Sequence, residues 1–500
     1  MNKKALLKKS EFILIFIISI ILVCVSYNVV AAQKGDEENI KIAFVGPISG
    51  KSAFKGQEML NGIRMYIDKV NLEGGIKGKM IDLLIFDDEN DNDLAAKKAK
   101  KIAYHTDALI VLGHRNSSTS MAGANVYKQA GISAITGTAT ADGITKDNPF
   151  YFRVVPNNTQ QGKLLAYYSK EILNYSDMYI IYDDDHYGYN LFESFEKAAQ
   201  KLNIQIRHKW SFHNKNDKLD ERIKSIVKDL SEKEKPEAIF LAAHDIEAAP
   251  IVKYMKEFDL DIPLIGGDSV GNRSFAKLFE KFPLEKKYPG FYTNGIYAVT
   301  YFIYDVANEQ AQQFKHQFNK LYNIDPGGAA VSNYDVAGIA IEAIRKANIS
   351  GNNIKEDRKR IRDYLASINN TERSFKGLTG HIYFDPDGNA MKSMATGTFF
   401  KQKLISAPVQ VNHIADFRTI SALKRSEEER DDILQIDDTY LQLTKVVYTG
   451  SDIIDIKDID PAKKTCSLDF YLWFRFQGAL DTENFQFVNA AEPINIENPI

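Results

Sequence analysis

The sequence predicts an α/β protein of two similar lobes, each with a mainly parallel sheet flanked by helices. The first observation is a repeated pattern, in which a short apolar run passes straight into small, hydroxyl or acidic residues and then into a helical pattern. Uninterrupted apolar strands that alternate with helices are typical of parallel sheets buried on both faces. The second observation is that the pattern continues from residue 40 to about residue 411, which is long for one sheet. The clearest runs with their turns are residues 42–50, 83–91, 108–120, 132–140 and 178–188.

The helices between these runs follow from apolar spacing and from the residues that end them. In residues 61–70 the apolar side chains share one helical face, and Gly74 with Gly75 ends the helix. Residues 118–129 form a small-residue helix entered through Ser117. The same pattern predicts further helices over residues 93–105, 189–202, 218–230, 246–258, 305–321 and 334–347, and strands over residues 204–207, 238–242 and 263–266.

The chain is expected to cross between the lobes more than once. We assign residues 40–157 and 291–376 to lobe 1, and residues 158–290 and 377–411 to lobe 2. No Gly/Ser-rich linker lies at the crossings, so short strands should connect the lobes and act as a hinge.

Composition limits the classes of partner. The formal net charge is -3, which gives no overall basic field, so a nucleic acid is not expected as a partner. Of the 2 cysteines, only Cys466 lies outside the N-terminal segment, so no intrachain disulfide is expected after cleavage of that segment.

The N-terminus predicts export. Four lysines precede an apolar stretch over residues 12–25, and Val30, Ala31 and Ala32 offer small side chains to a signal peptidase. We therefore expect residues 1–32 to be a signal peptide and the protein to be periplasmic or otherwise extracytoplasmic. The alternative is an uncleaved membrane anchor, because residues 12–32 just reach across a bilayer core of about 30 Å.

The composition changes after residue 411. Residues 412–445 include the charge run KRSEEERDD and are predicted to form a charged helical linker. Residues 446–500 are predicted to form a small β-rich extension, with strands at 446–456 and 466–476 around a turn at 460–462. So few residues are marginal for an independent core. We therefore expect the extension to pack on another surface or to belong to an incomplete domain.

Polar residues follow several of the predicted strands and mark a cleft, because ligands bind beyond the carboxyl ends of parallel strands. Ser117 either caps its helix or binds an anion with the free amides there. Thr138 and Thr140 either satisfy their own turn or form a second polar cluster facing Ser117. Asp268 is either a turn residue or a receptor for a cation. Together these side chains suit a zwitterion.

Residues 40–411 resemble the periplasmic binding proteins for branched-chain amino acids, which have the class I, Venus-flytrap fold. The first strand and helix carry KIAFVGPISG, GQEMLNG and VNLEGGIKG. The stretch GHRNSST, at residues 113–119, resembles the loop that binds the ligand carboxylate in that family. ITGTAT, YDDDHYGYN and GGDSVGN resemble its later ligand turns, in the same order along the chain.

The resemblance implies roles for individual residues. Ser117 and Thr140 would hold the ligand carboxylate. The Thr138 carbonyl, the Thr140 hydroxyl and Asp268 would hold the ammonium group, and Tyr187 would close over the ligand from lobe 2.

Tyr334 would close over the ligand as well, but other positions depart from the family pattern. Lys55 stands where an aromatic residue is common, Arg115 replaces a less charged residue, and His244 replaces another aromatic residue. An aliphatic ligand side chain is therefore in question. Either Lys55 or Arg115 meets a second acidic group on the ligand, or both side chains extend to solvent.

The leading hypothesis is therefore an exported receptor that closes on a small amino-acid-like ligand, for uptake through an ABC-type permease or for sensing. The alternative is the ligand-sensing module of a larger membrane receptor or channel. VVYTGSDIIDIKDID and TCSLDFYLWFRF resemble the opening strands of the extracellular domain of prokaryotic pentameric ligand-gated channels. The partners implied are a small-molecule ligand and a membrane permease or attached membrane domain.

Two other classes of function are weaker. No histidine pair has the spacing of metal ligands on a helix, and no nucleophile elbow occurs, so we expect no enzyme, metal site or cofactor. The acidic run at residues 183–185 is the one feature that suggests a metal. An adhesive role through the aromatic strand at residues 470–476 would require a partner that covers its apolar face.

Overall fold

A computed structural model of the chain describes residues 39–414, 421, 432–436, 439–479 and 490. The predicted signal peptide at residues 1–32 and most of the charge run at residues 424–432 lie outside the described residues. Among the helices of the described part, none is long and apolar enough to cross a membrane.

The described chain alternates strands and helices through both lobes. The strands are β1 (Ile40–Gly46), β2 (Ile81–Asp87), β3 (Ile110–Gly113), β4 (Ser133–Thr136), β5 (Tyr151–Arg153), β6 (Asp177–Asp183), β7 (Gln205–Phe212), β8 (Ala238–Ala242), β9 (Leu264–Gly266), β10 (Tyr297–Thr300), β11 (Phe375–Gly377), β12 (Gly380–Ile382), β13 (Ala395–Phe400), β14 (Lys403–Ser406), β15 (Val409–His413), β16 (Ile433–Ile436), β17 (Thr439–Lys445), β18 (Tyr448–Asp460) and β19 (Thr465–Arg475). The helices are α1 (Ala53–Leu72), α2 (Asn92–His105), α3 (Ser117–Ala130), α4 (Asn158–Tyr167), α5 (His186–Lys201), α6 (Leu219–Ser231), α7 (Asp245–Glu257), α8 (Arg273–Lys277), α9 (Pro283–Lys287), α10 (Glu309–Tyr322), α11 (Gly328–Lys346) and α12 (Ile354–Ser367).

Lobe 1 is built on a parallel sheet in the order β2-β1-β3-β4-β5. Its central strands are buried because helices cover both faces, which is why their sequences are apolar without alternation. Helices α1 and α11 pack closely on one face. A Cβ at Gly62 of α1 would lie 2.1 Å from the carbonyl oxygen of Ala330 in α11, so only glycine allows this approach.

Lobe 2 is built on a sheet in the order β14-β13-β10-β9-β8-β6-β7. The strands from β6 to β10 are parallel, and β13 and β14 add an antiparallel edge. Each lobe therefore has the predicted, mainly parallel sheet with flanking helices.

Two of the expected lobe boundaries lie elsewhere in the structure. The sequence predicts a return to lobe 1 at residue 291, but β10 pairs with β9 and β13 inside the lobe 2 sheet. The sequence predicts a return to lobe 2 at residue 377, but Ile382 and Phe384 are buried in the lobe 1 core. In both cases the segment stays with the lobe of the residues that precede it. An apolar run alone does not show which of the two lobes a strand joins.

The segment predicted as a charged helical linker, residues 412–445, has strands at its described ends. β15, β17 and β16 form an antiparallel sheet in that order. Leu441 and Leu443, two residues apart on β17, pack on the lobe 2 core, and this spacing is that of a strand with one buried face.

The extension continues as a long antiparallel hairpin of β18 and β19. The alternating apolar residues of β19 predict one buried face; Phe470, Leu472 and Phe474 of that face are half-buried, whereas Leu468 and the following Phe476 are exposed. On the other face Tyr471 and Trp473 are exposed. Tyr448 anchors the base of the hairpin by donating its hydroxyl to the Ser406 carbonyl at 2.6 Å.

Candidate functional site

The two sheets face each other across a cleft of about 520 Å³. Six of the predicted ligand-binding residues line it, and these are Lys55, Arg115, Ser117, Thr138, Tyr187 and Asp268. They come from loops and helix starts that follow different strands, so the parallel sheets bring together residues far apart in sequence.

The lobe 1 wall is formed by the turns after β3 and β4. Ser117 is the first residue of α3, and its hydroxyl oxygen accepts hydrogen bonds from the amides of Thr140 at 3.3 Å and Ala141 at 3.1 Å. The Thr138 hydroxyl donates to the Arg115 carbonyl at 2.7 Å. The two turns are thus tied together, and the first amides of α3 have no acceptor within the helix. This end of the cleft favours an anion.

Thr140 does not line the cleft in this conformation. Its hydroxyl is nevertheless buried and has no hydrogen-bond partner among the described residues. A buried hydroxyl without a partner is costly, so a partner is expected in the functional state.

The lobe 2 wall presents one buried carboxylate. Asp268 is 4% exposed and accepts a hydrogen bond from the Tyr187 hydroxyl at 2.9 Å. Burial raises the pKa of Asp268 above its usual range, although the bond from Tyr187 opposes this. A cation beside Asp268 would restore its charge, so this end of the cleft favours an ammonium group.

Tyr187 is held in place by its neighbours in lobe 2. Its ring stacks on His244, with 4.7 Å between the ring centroids. His244 pairs with Asp185 at 3.0 Å. Burial alone would lower the pKa of His244, but the carboxylates around it, Asp185 first, outweigh burial and raise the pKa to about 9. The imidazole ring is therefore protonated at neutral pH.

The acidic run at residues 183–185 has a structural explanation. Asp185 caps α5 by accepting the amides of Tyr187 at 2.9 Å and Gly188 at 2.8 Å. Asp183 accepts a hydrogen bond from the Asn214 side chain at 2.7 Å. These two carboxylates and His244 do come close enough to surround an ion. Their existing bonds account for the run by positioning Tyr187 and His244.

The two lobes touch across the cleft. Lys55 of α1 forms an ion pair with Asp245 of α7, and their side chains are only 13% and 3% exposed. Asn190 of α5 donates to the Asp142 carboxylate at 3.1 Å. These cross-lobe contacts describe a closed conformation. Burial lowers the pKa of Lys55 even though the Asp245 carboxylate beside it acts in the opposite direction.

The structure does not bring Tyr334 to the cleft. It lies on the face of α11 turned toward the rest of lobe 1, where its ring packs against Tyr66 at 4.9 Å and Phe314 at 5.0 Å. Tyr301, which directly follows β10, lines the cleft instead. The sequence carried the signal for Tyr301, since it stands directly after an apolar strand as the other cleft residues do.

Glu58 is a further cleft residue that sequence reasoning missed. It lies three residues after Lys55 on α1, so both side chains share one helical face. Its carboxylate accepts the Gly327 amide at 2.6 Å, and burial raises its pKa. The spacing of Lys55 and Glu58 was visible in the sequence as two opposite charges three residues apart in the first turns of this helix.

Residues 39–403 match the model of a family described as periplasmic binding protein. A Pseudomonas aeruginosa protein named leucine-, isoleucine-, valine-, threonine-, and alanine-binding protein is 24% identical over 356 residues, which cover 70% of this chain and 87% of that protein. The Leu/Ile/Val-binding protein of Escherichia coli is 26% identical over 242 residues, covering 48% of this chain and 64% of that protein. The match thus spans slightly less than two thirds of the E. coli relative.

Solved structures show the same fold. A branched-chain amino acid transporter substrate binding protein from Streptococcus pneumoniae, in complex with isoleucine, has a TM-score of 0.64 at 24% identity, covering 74% of this chain and 98% of that one. A solute binding protein of an ABC transporter from R. palustris, in complex with benzoate, has a TM-score of 0.62 at 19% identity, covering 74% and 95%. These similarities confirm the predicted two-lobed α/β fold.

Proposed function

The chain belongs to the periplasmic binding protein family, and from this we propose that it is an exported receptor that closes on one α-amino acid. The observation that carries the proposal is a closed cleft with an anion-binding wall on lobe 1 and the buried carboxylate of Asp268 on lobe 2. An α-amino acid carries the two complementary charges on one carbon atom. The names of the relatives are consistent with such a ligand.

The ligand carboxylate would bind the first amides of α3 and the hydroxyls of Ser117 and Thr140. The ligand ammonium would bind Asp268 and the Thr138 carbonyl. Tyr187 from lobe 2 and Tyr301 beside the hinge would cover the ligand. Because the ligand touches both lobes only when they close, its binding shifts the population toward the closed conformation.

The output of closure is proposed to be delivery to a membrane permease, as in ABC-type uptake. A signal to an attached membrane domain is the second candidate. The strands β15–β19, which lie beyond the family match and carry the exposed aromatic residues Tyr471 and Trp473, are the reason to test it. Deleting residues 446–500 and measuring ligand uptake in cells separates the two. If the protein feeds a permease, uptake should survive the deletion. If it signals to an attached membrane domain, the deletion should abolish a sensing phenotype.

Calorimetric titration of the full chain with the common α-amino acids tests the ligand. We expect saturable binding by at least one amino acid, and a loss of roughly 10-fold or more in affinity in Ser117→Ala and in Asp268→Asn, since hydrogen bonds to charged groups contribute about 1.5–3 kcal/mol. Ser133→Ala is the matched control, because it removes a buried serine hydroxyl of lobe 1 that does not line the cleft.

Failure of every amino acid to bind a folded protein would overturn the proposal. So would binding that ignores Asp268→Asn but is lost in Ser117→Ala, because the ligand would then be an anion without an ammonium group.

A further inference from the structure

Arg115 stands out among the cationic side chains of the cleft. Its guanidinium donates to the side chain of its neighbour Asn116, and no carboxylate of the described residues lies within salt-bridge distance of it. Its backbone is fixed, because its carbonyl accepts the Thr138 hydroxyl at 2.7 Å. An arginine has five N–H donors, so most of its donors remain available in a half-buried site.

Of the five other lysines and arginines that line the cleft, four have a contact partner and one is exposed to solvent; the four are Lys55, Arg273, Lys277 and Lys315, and the exposed one is Lys403. Lys55 pairs with Asp245. Arg273 lies 3.5 Å from Asp325. Lys277 lies 5.0 Å above the ring of Phe54. The alternative in which Lys55 extends to solvent is wrong, because its side chain is 13% exposed and paired across the cleft.

The guanidinium of Arg115 lies in the same cleft as Ser117 and Asp268, on the lobe 1 wall two residues before Ser117. Its positive charge acts on Lys55, Glu58 and Asp245, which line or flank the part of the cleft between α1 and α7. The charge that acts most strongly on Asp268 is instead that of His244. A ligand held by Ser117 and Asp268 would therefore lie in the cleft that Arg115 also lines.

We propose that Arg115 binds a carboxylate on the side chain of the ligand, so that the preferred ligand is an acidic α-amino acid. This inference rests on the proposed function and narrows its ligand class. A planar guanidinium pairs with a carboxylate through two parallel hydrogen bonds, which gives geometric selectivity as well as affinity. The neutral amide of the same size offers one acceptor and no charge.

The test is calorimetric titration of the full chain with L-glutamate, L-aspartate, L-glutamine, L-asparagine and L-leucine. We expect one acidic amino acid to bind roughly 10- to 100-fold more tightly than its amide, which is the range for a charge-assisted hydrogen bond. Arg115→Gln should reduce that ratio to about one while leaving the affinity for the amide within a few fold. Arg115→Lys should give an intermediate ratio, since it keeps the charge without the planar fork.

Arg345→Gln serves as the matched control, because Arg345 is an exposed arginine on α11 of the same lobe, outside the cleft. Thermal unfolding of each variant verifies that it is folded. Tightest binding of leucine, with a ratio untouched by Arg115→Gln, would overturn the inference and leave the proposed function standing. An equal loss for all five amino acids would overturn it too, since Arg115 would then bind the α-carboxylate. No binding of any amino acid would overturn both.

Discussion

The buried ion pair between Lys55 and Asp245 joins the two lobes, so its removal should act on closure rather than on folding. We consider Lys55→Met, which keeps the length and apolar stem of the side chain, and Asp245→Asn. In the open conformation the two lobes separate and both charges are free to be hydrated. In the closed conformation each single variant leaves one charge buried without its partner.

The loss of closing free energy in Lys55→Met depends on the groups that still surround the Asp245 carboxylate. Breaking a buried pair costs about 3–5 kcal/mol when the remaining charge has no other partner. Asp245 keeps a hydrogen bond from the Ser274 hydroxyl at 2.7 Å, and the charge of Arg115 also acts on it. We therefore expect Lys55→Met to cost about 2–3 kcal/mol of closing free energy, which is roughly 30- to 150-fold in ligand affinity.

The assay is a double-mutant cycle on ligand affinity, with thermal unfolding of each variant in parallel. The single variants should bind weakly yet unfold at nearly the wild-type temperature, because each lobe keeps its own core. The double variant Lys55→Met with Asp245→Asn should recover much of the lost affinity, since no buried charge is left unpaired. Affinity losses that simply add in the double variant, or single variants that bind as the wild type does, would refute the reasoning.

Three further outcomes are expected. Burial raises the pKa of Asp268, and a bound ammonium requires its ionised form, so affinity should fall as pH falls through that raised pKa; Asp268→Asn should remove this pH dependence in titrations between pH 4 and 8. Gly62→Ala should destabilise the protein by about 1–3 kcal/mol in urea unfolding, because its Cβ would clash with the Ala330 carbonyl. Tyr301→Ala should weaken ligand binding roughly 10-fold, whereas Tyr334→Phe should leave it unchanged in the same titration, since only Tyr301 lines the cleft.

How far the sequence predicted the site depended on where each residue lies relative to a strand. Ser117, Thr138 and Asp268 were found because they follow buried strands, and the carboxyl ends of parallel strands share one edge. Tyr334 lies in a helix, where its direction depends on the rotation of α11 against lobe 1. Apolar residues surround that helix on several sides, so the sequence does not specify this rotation.

Contacts between the lobes were beyond sequence reasoning for a different reason. Lys55 was recognised as a departure, but its partner Asp245 lies on the other lobe and is reached only on closure. The strands of residues 433–436 and 439–445 were missed because the neighbouring charge run dominated the local composition. Their alternation of inward and outward side chains is recognised only when β17 is seen to pair with the edge of β15.

Both the protein's own ion pair and its contacts with a ligand contribute to the free energy of closing the cleft. Burial lowers the pKa of Lys55, so desolvation removes much of what its attraction to Asp245 contributes, and a buried pair of this kind is near break-even for stability. The pair therefore fixes how the lobes meet without closing them by itself. The remaining free energy must come from three groups that the ligand can reach. The Thr140 hydroxyl has no hydrogen-bond partner among the described residues, and the Asp268 carboxylate and the Arg115 guanidinium have hydrogen bonds but no ion-pair partner there. We therefore expect closure to be most favourable with a ligand that supplies partners to all three.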